Sequence, residues 1–317
     1  MKKLGMKKLW LIATLCCVAP FIASAQTDFA AREAAADRLR AIELNFATVN
    51  DVEIAYRVLG DASNPSVMMI MGLGSSHVLW GDRLPSQIVA AGYRVILFDN
   101  RDVGDSQRFE EFGEPLIWWQ LLKNKFGFEV DAAYDLGDMA NDTVALMDAL
   151  NIEQAHVIGA SMGGMIAQIV AARYPQRTTS LVSIMSTPGF ADHLPQPSTE
   201  ANNQLTDLAN SDGESDATAR LHHIGLYPEA MPRQVMAIFK SGDRSEEVKT
   251  IVVPTLVLHG EDDTLIPPRH GEYTAELIEG STFITFAGMG HNIPATVLPA
   301  LAGNMITHMQ TQDGRQL

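Results

Sequence analysis

Three residues of types that together cleave acyl bonds lie far apart in this sequence, each just after an apolar run. Ser161 is at the centre of residues 159–163, Asp263 follows 102 residues later, and His291 comes 28 residues after Asp263. A serine hydroxyl becomes a strong nucleophile when an imidazole takes its proton, and a carboxylate fixes the imidazole tautomer and stabilises its cation. These residue types predict that Ser161 attacks, His291 shuttles the proton and Asp263 orients His291.

The residues around Ser161 are typical of a turn that presents a hydroxyl. A β-type run leads into residues 159–163, and a helix-type run leaves them. Gly159 and Gly163 remove side chains that would collide in so tight a turn, and the following helix aims free N–H groups at the serine. A chance match and a glycine-rich phosphate loop are the alternatives. The stretch lacks both the Lys-Ser/Thr ending of a P-loop and the Gly-x-Gly-x-x-Gly spacing of a dinucleotide fold, which favours the nucleophile.

Strand-type and helix-type segments alternate along the chain around these three residues. Residues 46–59 resemble an antiparallel sheet edge, and the apolar runs typical of buried strands are 67–71, 93–98, 156–158, 181–185, 251–253, 255–259 and 282–286. Helical patterns cover about 28–43, 136–150, 162–172, 271–279 and the segment that ends near 309. We interpret the first of these helices as peripheral. The alternation predicts an α/β fold with a mostly parallel, doubly covered sheet and ligands at the carboxyl ends of its strands.

One segment interrupts this alternation. Residues 190–248 contain a polar tract and scattered helical signals without strand runs. We predict an inserted helical lid there, within a core formed by residues 26–189 and 249–317. Since lids position substrate and exclude water, substitutions in this segment are expected to change which ester is preferred.

The first 25 residues have the composition of a secretory signal peptide. Four lysines precede an apolar run, which ends at a small-residue cleavage pattern, Ala23-Ser24-Ala25. The apolar run is short for a membrane span, and no later segment reaches the roughly 18 apolar residues that a span needs. Cys16 and Cys17 both lie within the predicted signal, so the mature chain is expected to have no disulfide or cysteine metal site. The expected location is periplasmic or secreted.

The net charge and the spacing of possible metal ligands limit which partners this chain can bind. The chain has a formal net charge of −15, which makes nucleic acid an unfavourable partner. The sequence has no His-Glu-x-x-His or clustered carboxylate–histidine spacing, so no metal site is predicted. Catalysis by serine, histidine and aspartate needs no cofactor. The expected partner is a small-molecule ester, and the oligomeric state stays open.

These motifs together resemble the α/β-hydrolase superfamily, and specifically its esterase-like members. The resemblance extends over residues 46–309 and rests on five motifs: residues 72–74, 99–106, 159–164, 260–267 and 290–291. Residues 99–102, Asp-Asn-Arg-Asp, look like the branch that includes anthracycline methyl esterases. The resemblance implies an oxyanion hole formed by the backbone N–H groups of Leu73 and Met162. The family often has His-Gly before the oxyanion residue where this chain has Met71 and Gly72, but backbone donors do not depend on that side chain.

The acid of the proposed triad has close neighbours. Asp262 and Asp263 are adjacent, and successive residues at a strand end point to opposite sides, so only one can meet His291. Asp263 stands three residues after Gly260 and four before Pro267. That spacing matches the family turn, and we assign the acid to Asp263.

The other histidines are assigned by position. His77 follows the oxyanion loop and is a candidate for substrate contact, with a structural role as the alternative. His156, His259 and His270 are interpreted as structural residues.

The sequence thus predicts an exported serine hydrolase that cleaves carboxylic esters through an acyl-enzyme. Hydrolysis of lactones or carbon–carbon bonds, or perhydrolysis, on the same triad is the enzymatic alternative. A non-catalytic ligand-binding member of the fold is the alternative from another class, which the presence of all three reactive residues disfavours.

Overall fold

The structure is a computed structural model. It describes residues 25–314 except 117, 118, 121, 124, 125, 127, 192 and 210–215. The predicted signal peptide, except for its last residue, lies outside the described residues. No helix in the described part of the chain is both long and apolar enough to cross a bilayer.

The centre of the fold is one eight-stranded sheet with the order β1-β2-β4-β3-β5-β6-β7-β8. β1 and β2 pair antiparallel, β2 pairs antiparallel with β4, and all other pairs are parallel. The strands are β1 (Asn45–Val49), β2 (Val52–Leu59), β3 (Ser66–Ile70), β4 (Arg94–Phe98), β5 (Ala155–Ala160), β6 (Thr178–Ile184), β7 (Thr255–Gly260) and β8 (Thr282–Phe286). The predicted mostly parallel sheet with an antiparallel edge is confirmed.

Helices cover both faces of this sheet. They are α1 (Ala25–Arg40), α2 (Arg83–Ala90), α3 (Leu136–Ala149), α4 (Met162–Arg173), α5 (Thr199–Ala209), α6 (Asp216–His223), α7 (Met231–Ser241), α8 (Ser245–Val248), α9 (Arg269–Leu277) and α10 (Leu298–Gln312). Helices α3 and α4 pack on one face and α2 and α10 on the other.

The two cores explain why the central strands are apolar on both sides. In β3, Met68 and Ile70 contribute to the core under α3 and α4, while Val67 and Met69 contribute to the core under α2 and α10. Successive side chains of a strand point to opposite faces, so a strand covered on both faces has a continuous apolar run. Such runs identified β3, β4, β5 and β6 in the sequence.

One predicted strand is absent and another is longer than expected. Residues 251–253 form no strand: Val252 is 80% exposed, and on this side of β6 the pairing begins only at Thr255. β6 itself begins at Thr178, three residues before its predicted start. Its first residues pair with β5, and they are more polar than the run that predicted it.

Helices α5, α6, α7 and α8 occupy the segment between β6 and β7. Its helical character agrees with the prediction for residues 190–248, whereas its role as a lid stays a prediction. The segment contacts the loop after β3, where Ser75 forms an isolated bridge with Leu226.

Candidate active site

Ser161 lies in the sharp turn between β5 and α4. Its backbone has φ 57° and ψ −121°, a strained conformation for a residue with a side chain. A Cβ atom on Gly159 would collide with the carbonyl group of Gly163, and one on Gly163 would collide with that of Ile70. Only glycine fits at these two positions, and the turn therefore holds the Ser161 hydroxyl at the carboxyl end of the sheet.

Ser161, His291 and Asp263 are joined by two hydrogen bonds. Nε2 of His291 lies 2.9 Å from Oγ of Ser161, and Nδ1 of His291 lies 2.7 Å from Oδ2 of Asp263. Because a carboxylate can only accept, Nδ1 carries the imidazole proton and Nε2 accepts from the serine hydroxyl. All three side chains are at most 5% exposed. The structure thus brings together three residues that are separated by up to 130 positions.

The carboxylate of Asp263 is held from two sides. Its Oδ1 accepts the backbone N–H groups of Leu265 and Ile266, both at 2.9 Å, while His259 approaches Oδ2 to 3.5 Å. Burial opposes ionisation of Asp263, but the electrostatic interaction with His291 and the hydrogen bonds from His259 and His291 outweigh it. The pKa of Asp263 is therefore held well below its usual range, and the carboxylate stays charged at neutral pH.

The neighbouring acids face elsewhere. Asp262 is exposed and accepts the N–H of Gly288 at 3.0 Å, and the exposed Glu261 accepts the Thr285 hydroxyl at 2.9 Å. Of these three consecutive acids, only Asp263 reaches His291.

The loop after β3 lies against Ser161. A Cβ atom on Gly72 would come within 3.1 Å of the Ser161 Cβ, which places the backbone of this loop beside the hydroxyl. Leu73 follows Gly72, and Met162 is the first residue of α4. Among the described residues, no acceptor pairs with the backbone N–H of Leu73 or Met162. Two amide donors therefore remain available near Ser161.

This loop is fixed by residues on both sides. Asn100, just after β4, donates its Nδ2 to the Met71 carbonyl at 2.9 Å. From α7, the side-chain oxygen of Gln234 accepts the Gly74 N–H at 2.7 Å, and the N–H of Tyr227 donates to the Gly74 carbonyl at 2.7 Å. Two residues of the segment between β6 and β7, Tyr227 and Gln234, thus support the loop in which the family often has a histidine and this chain has Met71.

Residues 99–106 stabilise the loop after β4 by hydrogen bonds and an ion pair. Oδ2 of Asp99 accepts the Asp105 N–H at 2.9 Å, and Asp102 forms a two-point ion pair with Arg233 at 2.6 and 2.7 Å. Asp102 and Arg233 are both buried, and Tyr134 donates its hydroxyl to Asp102 at 2.8 Å. This pair anchors α7 to the sheet, next to Gln234.

The structure does not bring His77 to the candidate site. Its side chain is fully buried, with Nδ1 donating to Asp99 at 2.6 Å and Nε2 accepting from Arg57 at 3.0 Å. Arg57 in turn donates to the Ile42 carbonyl. Both ring nitrogens are therefore occupied, which argues against the expected substrate contact and in favour of the structural alternative.

A cavity of about 640 Å³ reaches Ser161 and His291. Its walls come from one face of α1, the segment from Met71 to Leu84 and residues 291–298, together with Ala160, Ser161 and Met185. None of the described residues between 190 and 248 lines this cavity. The segment expected to position substrate therefore lies elsewhere, and the helix interpreted as peripheral forms a wall.

Sequence reasoning missed α1 and Gln234 for different reasons. Gln234 is fully buried, and its partner Gly74 lies 160 residues earlier, a contact that no local pattern reveals. In α1 the alanines recur among charged residues, which is also the pattern of a solvent-exposed helix. Their spacing was visible in the sequence, but the surface that they face was not.

Comparison with known proteins agrees with this architecture. A family model for the alpha/beta hydrolase fold matches residues 65–224. Rhodomycin D methylesterase DnrP of Streptomyces peucetius is 25% identical over 82% of this chain and 96% of its own length. A putative carbamate hydrolase, RutD of Caulobacter sp. (strain K31), is 28% identical over 75% of this chain and 88% of its own.

Solved structures have the same fold. The enol-lactonase from Burkholderia xenovorans LB400 superimposes with a TM-score of 0.64, covering 84% of this chain and 100% of its own at 22% identity. At that identity the similarity establishes the architecture, and the chemistry must be argued from the site.

Proposed function

The chain belongs to the alpha/beta hydrolase fold family, and from this premise we propose that it is an exported serine hydrolase that cleaves carboxylic esters through an acyl-enzyme. The observation that supports this most directly is the hydrogen-bonded series Ser161, His291 and Asp263 beside a cavity. The name of the methylesterase relative supports an ester as substrate.

In the first step Oγ of Ser161 attacks the ester carbonyl while Nε2 of His291 takes its proton. The new C–O bond turns the carbonyl oxygen into an oxyanion. Asp263, charged at neutral pH, stabilises the imidazolium that forms and holds its Nδ1 proton in place. The oxyanion then collapses back to a carbonyl, and the bond between the acyl carbon and the alcohol oxygen breaks. His291 gives its proton to the leaving alcohol, and the acyl group stays on Ser161.

The oxyanion needs donors that are already oriented. The backbone N–H groups of Leu73 and Met162 are assigned this role because both lie beside Ser161 and neither has a partner among the described residues. Met162 is at the amino end of α4, where the helix dipole adds a positive field. Removing one such donor costs roughly 10²- to 10³-fold in kcat in other hydrolases.

In the second step a water molecule repeats the attack. His291 takes the water proton, the resulting hydroxyl adds to the acyl carbon, and collapse of this intermediate returns the proton to Ser161. The acid is released and the enzyme is regenerated. No group outside the chain supplies or removes electrons in either step.

Export is the second part of the proposal, and residues 1–25 support it. Signal peptidase is expected to cut after Ala25, since small residues occupy positions 23 and 25. The sequence of the exported protein's amino terminus should be Gln26-Thr27-Asp28, with Gln26 free or cyclised. A mature chain that still contains Lys2 to Lys8 would refute this part alone.

The enzymatic part is tested by covalent labelling and burst kinetics. Wild-type protein should release about one equivalent of p-nitrophenol rapidly from p-nitrophenyl acetate, and a fluorophosphonate should modify Ser161, as located by peptide mass spectrometry. A label on another residue, or no burst and no turnover across esters, lactones, carbamates and diketones, would refute the proposal. Faster turnover of lactones or carbamates than of every open ester would preserve the serine mechanism and replace the substrate class.

A further inference from the structure

One face of α1 lies on the cavity that reaches Ser161. Ala31, Arg32, Ala34, Ala35 and Arg38 line this cavity. Ala34, Ala35 and Arg38 follow Ala31 by three, four and seven residues, which places these four on one helical face, and Arg32 lies beside that face. The alanines leave open space where larger side chains would fill it.

Helix α1 is held firmly enough to act as a wall. Ala36 and Leu39 are 1% exposed, and Leu39 belongs to the same core as Trp80 and Leu84. Arg40 donates to the carbonyl groups of residues 222 and 223 in the insertion, the shortest of these contacts being 3.0 Å. The buried residues fix the helix at its carboxyl-terminal half, and because Leu39 lies one turn after Ala35, the cavity face borders the buried face.

The opposite walls are close and largely apolar. A Cβ atom on Gly81 would lie only 3.9 Å from the Ala35 Cβ, so α1 runs directly beside this segment. The apolar side chains that line the rest of the cavity are Met71, Leu79, Trp80, Met185, Ile293 and Leu298. With a volume of about 640 Å³, the cavity is within the 300–1,000 Å³ range that holds drug-sized ligands, whereas an acetyl or methyl group would fill little of it.

We infer that α1 is a substrate-binding wall, and that the preferred substrates are esters with a bulky, mainly apolar group seated between its alanine face and the Leu79–Trp80 segment. This inference rests on the proposed serine hydrolase function. It assigns ester selectivity to the amino-terminal helix of the mature chain, and the insertion at residues 190–248 acts through the loop that it supports.

The test enlarges the alanines one at a time. Ala31→Leu, Ala34→Leu and Ala35→Leu each place a side chain in the cavity without a helix-propensity penalty. Ala30→Leu is the matched control, because Ala30 is exposed on α1 and does not line the cavity. For each protein, kcat/KM is measured on p-nitrophenyl acetate and octanoate, which vary the acyl group, and on methyl and 1-naphthylmethyl butyrate, which vary the alcohol.

The expected result is selective. Lining variants should lose about 10-fold or more on the larger ester of at least one pair, the effect of one excess or missing group in an apolar pocket, and stay near wild type on the smaller. Ala30→Leu should match wild type on all four. If the ratio of large to small ester is unchanged by all three lining variants in both pairs, α1 does not determine selectivity.

A second measurement separates this outcome from failure of the proposed function. Labelling by a small fluorophosphonate reports Ser161 reactivity directly, and it should proceed at wild-type rates in the lining variants. If wild-type protein is labelled at Ser161 and hydrolyses esters while selectivity does not depend on residues 31, 34 and 35, only the role of α1 is refuted. If wild-type protein is neither labelled nor active, the serine hydrolase assignment is refuted.

Discussion

Two segments flank the candidate site, and they differ in what they contact. α1 presents an alanine face to the cavity beside Ser161, whereas α7 contacts the loop after β3 through Gln234 and is anchored by Arg233 to Asp102. Helix α1 can contact a bulky substrate group directly, so it can discriminate substrates by size. Helix α7 can only change the position of an amide donor. Two segments near one active site can therefore have different roles, and kinetics can distinguish the role of α1 from that of α7.

The comparison of α1 with α7 requires that both helices affect a reaction carried out by the same nucleophile, Ser161. We expect Ser161→Ala to remove turnover of small and bulky esters alike, by several orders of magnitude and on the order of 10⁶-fold in kcat. Among the residues that the structure describes, only Ser161 offers a hydroxyl to Nε2 of His291. The measurement is kcat on p-nitrophenyl acetate and octanoate, with circular dichroism to verify the fold. Substantial residual turnover of one ester alone would mean that the two segments serve different chemistries.

The next effect in size concerns the acid. Asp263→Asn should lower kcat by up to about 10⁴-fold, because an amide can donate to Nδ1 of His291 and stabilise the wrong tautomer. Asp262→Asn is the matched control, and since its carboxylate is exposed and bonds Gly288, it should stay within a few-fold of wild type. A near-native Asp263→Asn beside an inactive Asp262→Asn would move the acid by one position and leave the comparison of α1 and α7 unaffected.

Support of the oxyanion loop is the direct test of the α7 side. Gln234→Met keeps the size of the side chain but loses its bonds to Gly74 and Arg101. We expect kcat to fall about 10- to 100-fold, less than the loss of an oxyanion donor itself, with little change in KM. The reduction should be the same factor for small and bulky esters, since the oxyanion hole proposed for this loop would bind the carbonyl oxygen common to both.

Two variants make the Gln234 test specific. Gln204→Met, on α5 of the same insertion, removes only a bond to Glu200 and should behave as wild type. Gln234→Glu keeps an acceptor for the Gly74 N–H and should recover part of the lost kcat. A large loss of selectivity in Gln234→Met, in place of a uniform fall in kcat, would show that α7 reaches the substrate after all.

The sequence predicted the parts of this site whose determinants are local. Ser161 is flanked by glycines that its turn requires, and Asp263 and His291 each follow a strand, so their residue types and order were sufficient. The roles of α1 and Gln234 depend on contacts between segments up to 160 residues apart. An alanine-rich helix has the same local pattern against solvent as against a cavity. Residues 190–248 contain helices, as their composition indicated, but composition could not indicate which surface these helices would contact.

The smallest effect follows from how the two segments are attached. Two exposed ion pairs attach α1. In the pair of Arg38 with Asp82 the arginine side chain is 55% exposed, and in the pair of Arg220 with Glu33 the arginine side chain is 61% exposed. The pair that anchors α7, Arg233 with Asp102, is at most 6% exposed. Exposed pairs contribute about 0–1 kcal/mol and are screened by salt, since the Debye length falls to about 3 Å at 1 M, whereas a buried pair is screened much less.

Raising sodium chloride from 0.05 to 1 M should therefore loosen α1 more than α7. Hydrogen–deuterium exchange followed by mass spectrometry should show faster exchange in peptides from residues 26–38 and little change in peptides from residues 231–241. The preference for octanoate over acetate should fall by no more than about threefold, because Ala36 and Leu39 keep the helix in the core at any salt concentration. If salt changed the exchange rate equally in both segments, the exposed ion pairs would contribute no more to holding α1 than the buried pair contributes to holding α7. The amino-terminal half of α1 would then be held by its apolar contacts alone.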